Sequence, residues 1–342
     1  MINKTSFNKV VDGKQISIFT LKNKNGMYAD ITNYGGKIVT LFAPDKDGNL
    51  ADVVLGFNTL DEWISKEMYF NTLIGRFANR IKDGKFTLDG KEYQLAVNNG
   101  TNHLHGGNIG YNEKVWDVLE ATESTLKLRY LSPDGEENYP GNLEAIVTYE
   151  VSDDNALKVH YEATTDKPTI VAFTQHAYFN LKGAGEGNVR DHVLQINADL
   201  FTQVDESFAP DGVILPVENH AMDFRKPTLI GDRIDDVFFA PGGGIDNNFV
   251  LRKAQQGDCT LAATISAANR TMEVYTTQPG IQIYTGNWVE KNIGKYGKQY
   301  DAQYAVCLET QGFPNSPNQA HFPTAVLRPD GKYDEWCIYK FV

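Results

Sequence analysis

The strongest constraint on the fold is an alternation of apolar and polar residues with a period of two. In the segment 143–151 the odd positions are apolar and the even positions are mostly polar. After the turn-forming residues 152–155, the same alternation resumes at 157–163. Because successive side chains of a β-strand point to opposite faces, this pattern predicts an antiparallel hairpin with one buried face.

Frequent turn signals separate segments of this kind. Asp-Gly dipeptides suit turns that need a positive φ, and they occur at 12–13, 47–48, 83–84, 89–90, 134–135, 211–212 and 330–331. Helical patterns are few and short, around 59–67 and around 228–235. Short alternating strands with frequent turns predict an all-β fold, an antiparallel β-sandwich with few short helices. The absence of a βαβ rhythm argues against a Rossmann fold or an α/β barrel.

The chain of 342 residues is long enough for one large or two ordinary domains. Its Gly-rich stretches, at 183–187 and 242–244, are only a few residues long and are typical of loops within a domain. We see no linker, internal repeat or low-complexity tract. We therefore expect a single domain over residues 1–342.

Charge and composition restrict the partners. The net charge is -12, which repels nucleic acid, and no local Lys/Arg cluster offsets it. No apolar run approaches the roughly 18 residues that a membrane-spanning helix needs. We expect neither nucleic acid nor a membrane as partner, and a monomer or weak dimer.

Compartment and metal content follow from the ends and the cysteines. The first nine residues lack the basic-then-apolar pattern of a signal peptide. Three widely spaced cysteines, Cys259, Cys307 and Cys337, form no CxxC pair, which argues against a disulfide framework or a structural zinc site. We expect a cytoplasmic protein; a secreted or periplasmic protein whose signal peptide has been removed is the alternative.

Functional residues should stand out as polar side chains within apolar strands, since burying them costs free energy. In the strand-like segment 304–311, Glu309 shares a face with Ala305 and Cys307. The carboxyl either lines a pocket, where desolvation would raise its pKa and make it a better base, or leaves the strand end for water. His176 lies in the apolar, aromatic-rich segment 169–181; from that segment alone, a core histidine satisfied by backbone is the preferred interpretation.

Three loops are further candidates. The segment 102–107 carries His103 and His105 beside two glycines. A His-X-His pair in a strand can bind zinc, but no third ligand is evident, so we expect no metal. The segment 75–81 holds two arginines around an asparagine, and 242–248 ends a glycine loop with Asp246. That loop lacks the Lys-Ser/Thr of a phosphate-binding P-loop.

Together these segments resemble the galactose mutarotase (aldose 1-epimerase) family over nearly the whole chain. The similar motifs fall in the family's order, after Asn-Tyr-Gly-Gly at 33–36. They are Gly-Arg-Phe-Ala-Asn-Arg-Ile at 75–81, Leu-His-Gly-Gly at 104–107, His-Ala-Tyr-Phe-Asn-Leu at 176–181, Gly-Ile-Asp at 244–246 and Leu-Glu-Thr-Gln at 308–311. Each motif is weak alone, but five in order are specific.

The resemblance implies a large β-sandwich of the galactose mutarotase type, with an open cleft for a free hexose and no cofactor. It implies that Glu309 is the catalytic base and His176 the catalytic acid. It also implies that the sugar is bound and oriented by His105, Arg80 and Asp246. Asn79 is expected beside Arg80, and Gln278 is a weaker candidate for the pocket.

The predicted activity is the interconversion of the α and β anomers of hexoses such as galactose and glucose. The alternatives are a non-catalytic carbohydrate-binding sandwich and a hexose-6-phosphate epimerase, which would need a cationic cluster beyond Arg76 and Arg80. A glycoside hydrolase would need two carboxylates, such as Asp246 and Glu309, about 5–10 Å apart; the resemblance of His176 to the acid position argues against it.

Overall fold

The computed structural model describes residues 2–255 and 257–342. Strands make up most of the regular structure, as the alternation predicts. The first sixteen strands are β1 Lys9–Val11, β2 Lys14–Ile16, β3 Ile18–Lys22, β4 Tyr28–Thr32, β5 Ile38–Pro44, β6 Leu50–Asp52, β7 Thr72–Ile74, β8 Arg80–Ile81, β9 Lys85–Leu88, β10 Lys91–Gln94, β11 His103–Leu104, β12 Asp117–Ala121, β13 Thr125–Ser132, β14 Leu143–Ser152, β15 Ala156–Thr165 and β16 Thr169–Ile170. The others are β17 Thr174–His176, β18 Tyr178–Phe179, β19 Val193–Ile196, β20 Ala198–Val204, β21 Pro210–Pro216, β22 Thr228–Leu229, β23 Asp246–Leu251, β24 Thr260–Ala267, β25 Arg270–Thr276, β26 Gly280–Tyr284, β27 Asn292–Ile293, β28 Gln299–Tyr300, β29 Val306–Gln311, β30 Val326–Leu327 and β31 Tyr333–Phe341.

Helical structure is sparse. The predicted helix around 59–67 is confirmed as α1, Leu60–Ser65. Thr59 caps it: its hydroxyl accepts from the Glu62 backbone N–H, and the Glu62 carboxylate accepts from the Thr59 N–H, a capping box. Short 3₁₀ segments occur at Lys4–Phe7, Lys82–Gly84, Tyr111–Glu113, Glu136–Asn138, Ile230–Asp232, Val237–Gly242, Lys295–Gly297 and Ser316–Asn318.

The predicted helix around 228–235 is wrong. The segment begins with β22, which pairs with β19 at the edge of a sheet, and continues into the 3₁₀ turn Ile230–Asp232. Gly231 lies inside the turn, and glycine disfavours an α-helix by about 1 kcal/mol relative to alanine. Strand pairing with a distant segment therefore outweighed a weak local pattern.

Antiparallel sheets build the molecule. A nine-stranded sheet has the order β12-β13-β14-β15-β31-β25-β24-β19-β22, a six-stranded sheet the order β18-β29-β26-β23-β20-β21, and a four-stranded sheet the order β3-β4-β5-β6. The predicted hairpin is confirmed as β14 and β15, paired from Leu143 opposite Thr165 to Ser152 opposite Ala156. The fold is a large antiparallel β-sandwich, as predicted.

The main core lies between these sheets, and its arrangement positions the polar residues. Val147 of the nine-stranded sheet belongs to the same cluster of buried apolar side chains as Ile283 and Leu308 of the six-stranded sheet. Because neighbouring residues of a strand point to opposite faces, Gln282 and Glu309 lie on the other face of the six-stranded sheet. That face is lined by a second, smaller apolar cluster, to which Cys307 belongs.

Among the described residues, no helix is long and apolar enough to cross a membrane.

Candidate active site

Three adjacent strands present polar side chains on the same face of the six-stranded sheet. Glu309 of β29 lies directly opposite Gln282 of β26. Asp246 begins β23, the next strand. All three side chains are buried. A buried row of polar groups is costly unless it is paired, which marks this face as a candidate binding site.

Loops and short strands around that face enclose an open cleft of about 560 Å³. Its volume lies within the range of small-molecule sites. Six of the seven predicted site residues line it: Asn79, Arg80, His105, His176, Asp246 and Glu309. They come from segments that are more than 200 residues apart in sequence.

Glu309 and His176 lie close together in the cleft. His176 Nε2 lies 3.6 Å from Glu309 Oε1. Glu309 is 1% exposed and His176 5% exposed. His176 Nδ1 and Glu309 Oε2 have no hydrogen-bond partner among the described residues. Buried polar atoms are normally hydrogen-bonded, so two such atoms at a cleft, without a partner in the part of the chain that the structure describes, are available to bind a substrate.

Burial sets the protonation of this pair. Burial and the charge of Asp246 raise the pKa of Glu309 well above its ordinary range, although the Arg80 guanidinium opposes the shift. Burial lowers the pKa of His176 to about 3. Both shifts disfavour a charged group in a desolvated environment. A carboxyl that binds its proton tightly is a stronger base when ionised, and an imidazolium that holds its proton weakly is a stronger acid.

His105 is held in one tautomer. The Asn79 backbone N–H donates to His105 Nδ1 at 3.1 Å, and the His105 backbone N–H donates to the Asn79 carbonyl at 3.2 Å. Burial lowers the pKa of His105, so its imidazole is neutral. Because Nδ1 accepts a hydrogen bond, the proton resides on Nε2, which makes His105 a hydrogen-bond donor in the cleft.

Asp246 and Arg80 form a buried ion pair. Arg80 Nη1 lies 3.6 Å from Asp246 Oδ2. Gln282 Nε2 donates to Asp246 Oδ1 at 2.7 Å, and Arg80 Nε donates to Asn99 Oδ1 at 3.0 Å. Burial raises the pKa of Asp246, and Arg80 and Gln282 oppose that rise. These contacts fix a carboxylate and a guanidinium at the cleft wall.

Gln278 does not line this cleft. Its Nε2 donates to the Tyr333 hydroxyl at 2.5 Å, in a separate pocket bordered by Glu335 and Leu327. The glutamine that supports the cleft instead is Gln282, which donates to Asp246 and which sequence reasoning missed. A signal was present: Gln282 is a polar residue between Ile281 and Ile283 in a strand-like segment.

The two histidines of the His-X-His segment lie in different environments: His103 is hydrogen-bonded in the core, and His105 lines the cleft. Both ring nitrogens of His103 are used, one against the Ala96 carbonyl at 2.8 Å and one against the Tyr139 hydroxyl at 2.6 Å. His105 has φ of 51°, so the chain leaves the extended conformation and the i, i+2 rule no longer applies. His103 is a core histidine, and the pair does not share a ligand site.

Aromatic side chains line the walls of the cleft and were not predicted. Tyr178 stacks on His176 with ring centroids 4.9 Å apart, and Tyr69 packs against His105 at 4.8 Å. Trp288 is 49% exposed at the cleft. Aromatic faces bind the C–H faces of sugars well because they are large, rigid and apolar. The arrangement combines such surfaces with groups that donate, accept and move protons.

Comparisons with known proteins show which family shares this sequence and fold. A family model described as aldose 1-epimerase matches residues 17–340. Galactose mutarotase from Sus scrofa is 43% identical over 313 residues, covering 91% of this chain and 90% of its own. Among solved structures, an aldose epimerase homologue from C. elegans has a TM-score of 0.88 at 31% identity, covering 96% of this chain and 99% of its own. Galactose 1-epimerase from Lactobacillus acidophilus NCFM has a TM-score of 0.85 at 31% identity, covering 98% of this chain and 96% of its own.

The fold, the cleft and these similarities define an isomerase that acts on carbohydrates. The chain belongs to the aldose 1-epimerase family, and its activity is that of a mutarotase. The predictions of the family, of an enzyme and of the all-β fold are confirmed. The alternative of a non-catalytic carbohydrate-binding sandwich is not supported.

Proposed function

We propose that the cleft is the active site for anomer interconversion of free hexoses such as galactose and glucose. The observation that carries the proposal is the 3.6 Å separation of His176 Nε2 and Glu309 Oε1 in a buried, polar cleft. Mutarotation opens and closes a hemiacetal, which needs one base and one acid on either side of a single acetal carbon. No redox step or electron sink is involved, so the chemistry requires no cofactor.

In the proposed opening step, Glu309 takes the proton of the C1 hydroxyl and His176 protonates the ring oxygen. The C1–O5 bond breaks, C1 becomes an aldehyde carbon, and the chain rotates about C1–C2. Closure on the other face reverses the two proton transfers. Two oxygens on one carbon can be served together only by two groups that lie close, as Glu309 and His176 do.

The reaction needs a carboxylate and an imidazolium, whereas burial favours the carboxylic acid and the neutral imidazole. The two protonation states contain the same number of protons. They differ only in whether one proton resides on Glu309 or on His176. We infer that the bound sugar selects the charged form, because the C1 hydroxyl donates to a carboxylate and the ring oxygen accepts from an imidazolium. In this desolvated site the Glu309 carboxylate is a strong base and the His176 imidazolium a strong acid, so both proton transfers to and from the sugar are favoured.

The remaining predicted residues would bind and orient the sugar. His105 Nε2–H and the Arg80 guanidinium donate to oxygens whose negative charge grows as the ring opens. Asp246 accepts from sugar hydroxyls, and Gln282 and Arg80 hold it in place. Asn79 keeps His105 in the donor tautomer through its backbone. These roles explain why the Arg80–Asp246 ion pair lines the same cleft as His105 and His176.

Charge favours a neutral sugar over a phosphorylated one. The cleft is lined by four acidic residues, Glu67, Asp246, Glu290 and Glu309, against the two cations Lys66 and Arg80. Lys66 Nζ already donates to Asn292 Oδ1 at 3.1 Å, and Arg80 is paired with Asp246. Both cations of this lining are therefore already engaged, and little positive charge remains for a phosphate group, which argues against a hexose-6-phosphate epimerase.

Polarimetry tests the proposal. Fresh α-glucose or α-galactose is added to the purified protein, and the approach to anomeric equilibrium is followed against the uncatalysed rate. We expect acceleration with both sugars and weaker acceleration with glucose 6-phosphate. Faster conversion of the phosphorylated sugar would contradict the charge argument, and release of nitrophenol from a nitrophenyl glycoside would favour a hydrolase.

We further propose that residues 1–342 form one domain, that the protein is a monomer or weak dimer, and that it resides in the cytoplasm. The main apolar cluster supports the first point because it draws members from Leu21 to Phe341. Size-exclusion chromatography with light scattering tests the oligomeric state.

A further inference from the structure

The strand that carries Glu309 also places a cysteine beside it. Cys307 lies two residues earlier on β29 and therefore on the same face. One ring nitrogen of His176, the Cys307 sulfur and one carboxylate oxygen of Glu309 all lie within 4.8 Å of one another. All three residues are buried. Nitrogen, sulfur and oxygen donors thus converge from two neighbouring strands.

Two of these side chains have unused hydrogen-bonding capacity. Among the described residues, His176 Nδ1 and Glu309 Oε2 have no hydrogen-bond partner. Both side chains are more than nine-tenths buried and border the cleft. Tyr178 stacks on the imidazole of His176 and limits its movement. The donor set is therefore held in place while part of its binding capacity stays free.

We propose that His176, Cys307 and Glu309 form a binding site for a thiophilic divalent cation of the zinc and cadmium class. Zinc in proteins takes imidazole nitrogen, thiolate sulfur and carboxylate oxygen in tetrahedral geometry at about 2.0–2.3 Å. Three donors within 4.8 Å of one another can converge on one ion with small side-chain adjustments. Because His176 and Glu309 line the cleft, water or a sugar hydroxyl in the cleft would supply the fourth ligand.

The donor set also defines selectivity and the chemistry of binding. Magnesium and calcium prefer sites with several oxygen ligands. This site has only one carboxylate, beside one imidazole and one thiol, and therefore favours zinc or cadmium. On binding, the Cys307 S–H bond breaks, its proton leaves for solvent and a metal–sulfur bond forms. The Glu309 carboxyl, which burial keeps protonated, also releases its proton to solvent as a metal–oxygen bond forms. The neutral imidazole contributes a lone pair, and no atom changes oxidation state.

Occupancy of this site would block turnover, an effect that rests on the proposed catalytic roles. A bound cation engages the same lone pairs of His176 and Glu309 that the proposed reaction needs for proton transfer. Zinc is therefore expected to inhibit mutarotation, and inhibition is expected to be relieved by a chelator.

The experiment measures binding and inhibition separately, in a Cys259→Ser background that removes the exposed thiol. Cadmium and cobalt are titrated without sugar, and the ultraviolet thiolate-to-metal charge-transfer band and the heat of binding are recorded. The matched control is Cys337→Ser. Cys337 is equally buried, but it contacts Thr310, which points to the other face of β29 from Glu309.

We expect about one cadmium ion per protein with a charge-transfer band that the Cys337→Ser control retains. Cys307→Ser should abolish the band and weaken binding by at least about tenfold, since even the loss of a residue that only supports a ligand typically costs about 10–100-fold. Glu309→Gln should weaken binding while keeping the band, which provides a second test if the serine variant folds poorly. No band in the parent protein, or a band that persists in Cys307→Ser, would overturn the proposal.

Activity then separates the two proposals. Metal binding without inhibition would leave the metal site in place and overturn the catalytic roles of His176 and Glu309. Loss of turnover in Glu309→Gln without any metal binding in the parent protein would support those roles and overturn the metal site.

Discussion

Replacing Glu309 by glutamine tests the proposed mechanism most directly, because it keeps the side chain's shape and removes its ability to take a proton. A positioned general base contributes about 10²–10⁴ in rate, which corresponds to about 3–5 kcal/mol of transition-state stabilisation. We therefore expect turnover of the Glu309→Gln protein to fall by at least about 100-fold. Initial rates of optical rotation on fresh α-galactose, corrected for the uncatalysed reaction, measure the loss.

The same variant should not lose stability, and it should gain some at neutral pH. The Glu309 carboxyl is buried beside Asp246, and its pKa is raised in the folded protein. Above the ordinary pKa of 4.5, the unfolded chain releases a proton that the folded protein retains, so this residue lowers folding stability as pH rises. Glutamine carries no such cost, so we expect a gain of about 0.5–2 kcal/mol, the size that single stabilising substitutions commonly give.

Urea denaturation of both proteins at pH 4 and pH 7 checks this expectation. The Glu309→Gln protein should match the parent at pH 4 and exceed it at pH 7. Glu335→Gln is the matched control, since Glu335 also has a pKa raised by burial but borders a different pocket. Near-normal turnover in Glu309→Gln would remove that residue from the mechanism, and lost turnover accompanied by unfolding would make it a structural residue.

Three further predictions follow from the same geometry. His176→Asn should lower turnover by at least about 100-fold with an unchanged thermal unfolding midpoint; an unfolding midpoint that falls together with the rate would refute the acid role. Asp246→Asn removes a charged acceptor worth about 1.5–3 kcal/mol, so the KM for galactose should rise about tenfold to 100-fold, and an unchanged KM in initial-rate polarimetry would show that it binds no hydroxyl. His103 has a pKa lowered to about 4 from 6.5, so stability should fall by about 2 kcal/mol from pH 7 to pH 5 as the unfolded chain binds the proton first. His103→Gln should remove that part of the loss in urea denaturation, and an identical pH dependence in both proteins would contradict a buried neutral imidazole.

Local patterns predicted the strands well and one helix badly. The alternation at 143–163 identified β14 and β15 because a strand with one buried face must alternate. The segment 59–67 carried its own capping residues, Thr59 and Glu62, so its helix is specified locally. The segment 228–235 had no such signal, and pairing with β19 decided its conformation.

For the candidate site, too, the sequence predicted some residues correctly, and only the structure identified others. Motifs that resemble one family led to Glu309, His176, His105, Arg80, Asp246 and Asn79, and these six residues line one cleft. Gln278 and Gln282 are both polar residues near the same strand, four positions apart. Only the pairing of β26 with β29 shows that Gln282 faces Glu309, whereas Gln278 lies beyond the strand against Tyr333.

The sequence by itself determined the strand periodicity, the turns, the class of fold and the residue types that acid–base chemistry needs. These are local properties, since each depends on neighbours along the chain. Only the tertiary structure decided that His176 Nε2 lies 3.6 Å from Glu309 Oε1, that Asn79 fixes the tautomer of His105, and that Cys307 joins the same cluster. The reason is physical: pKa values and contact distances depend on burial and on groups from distant segments, and folding alone brings these together.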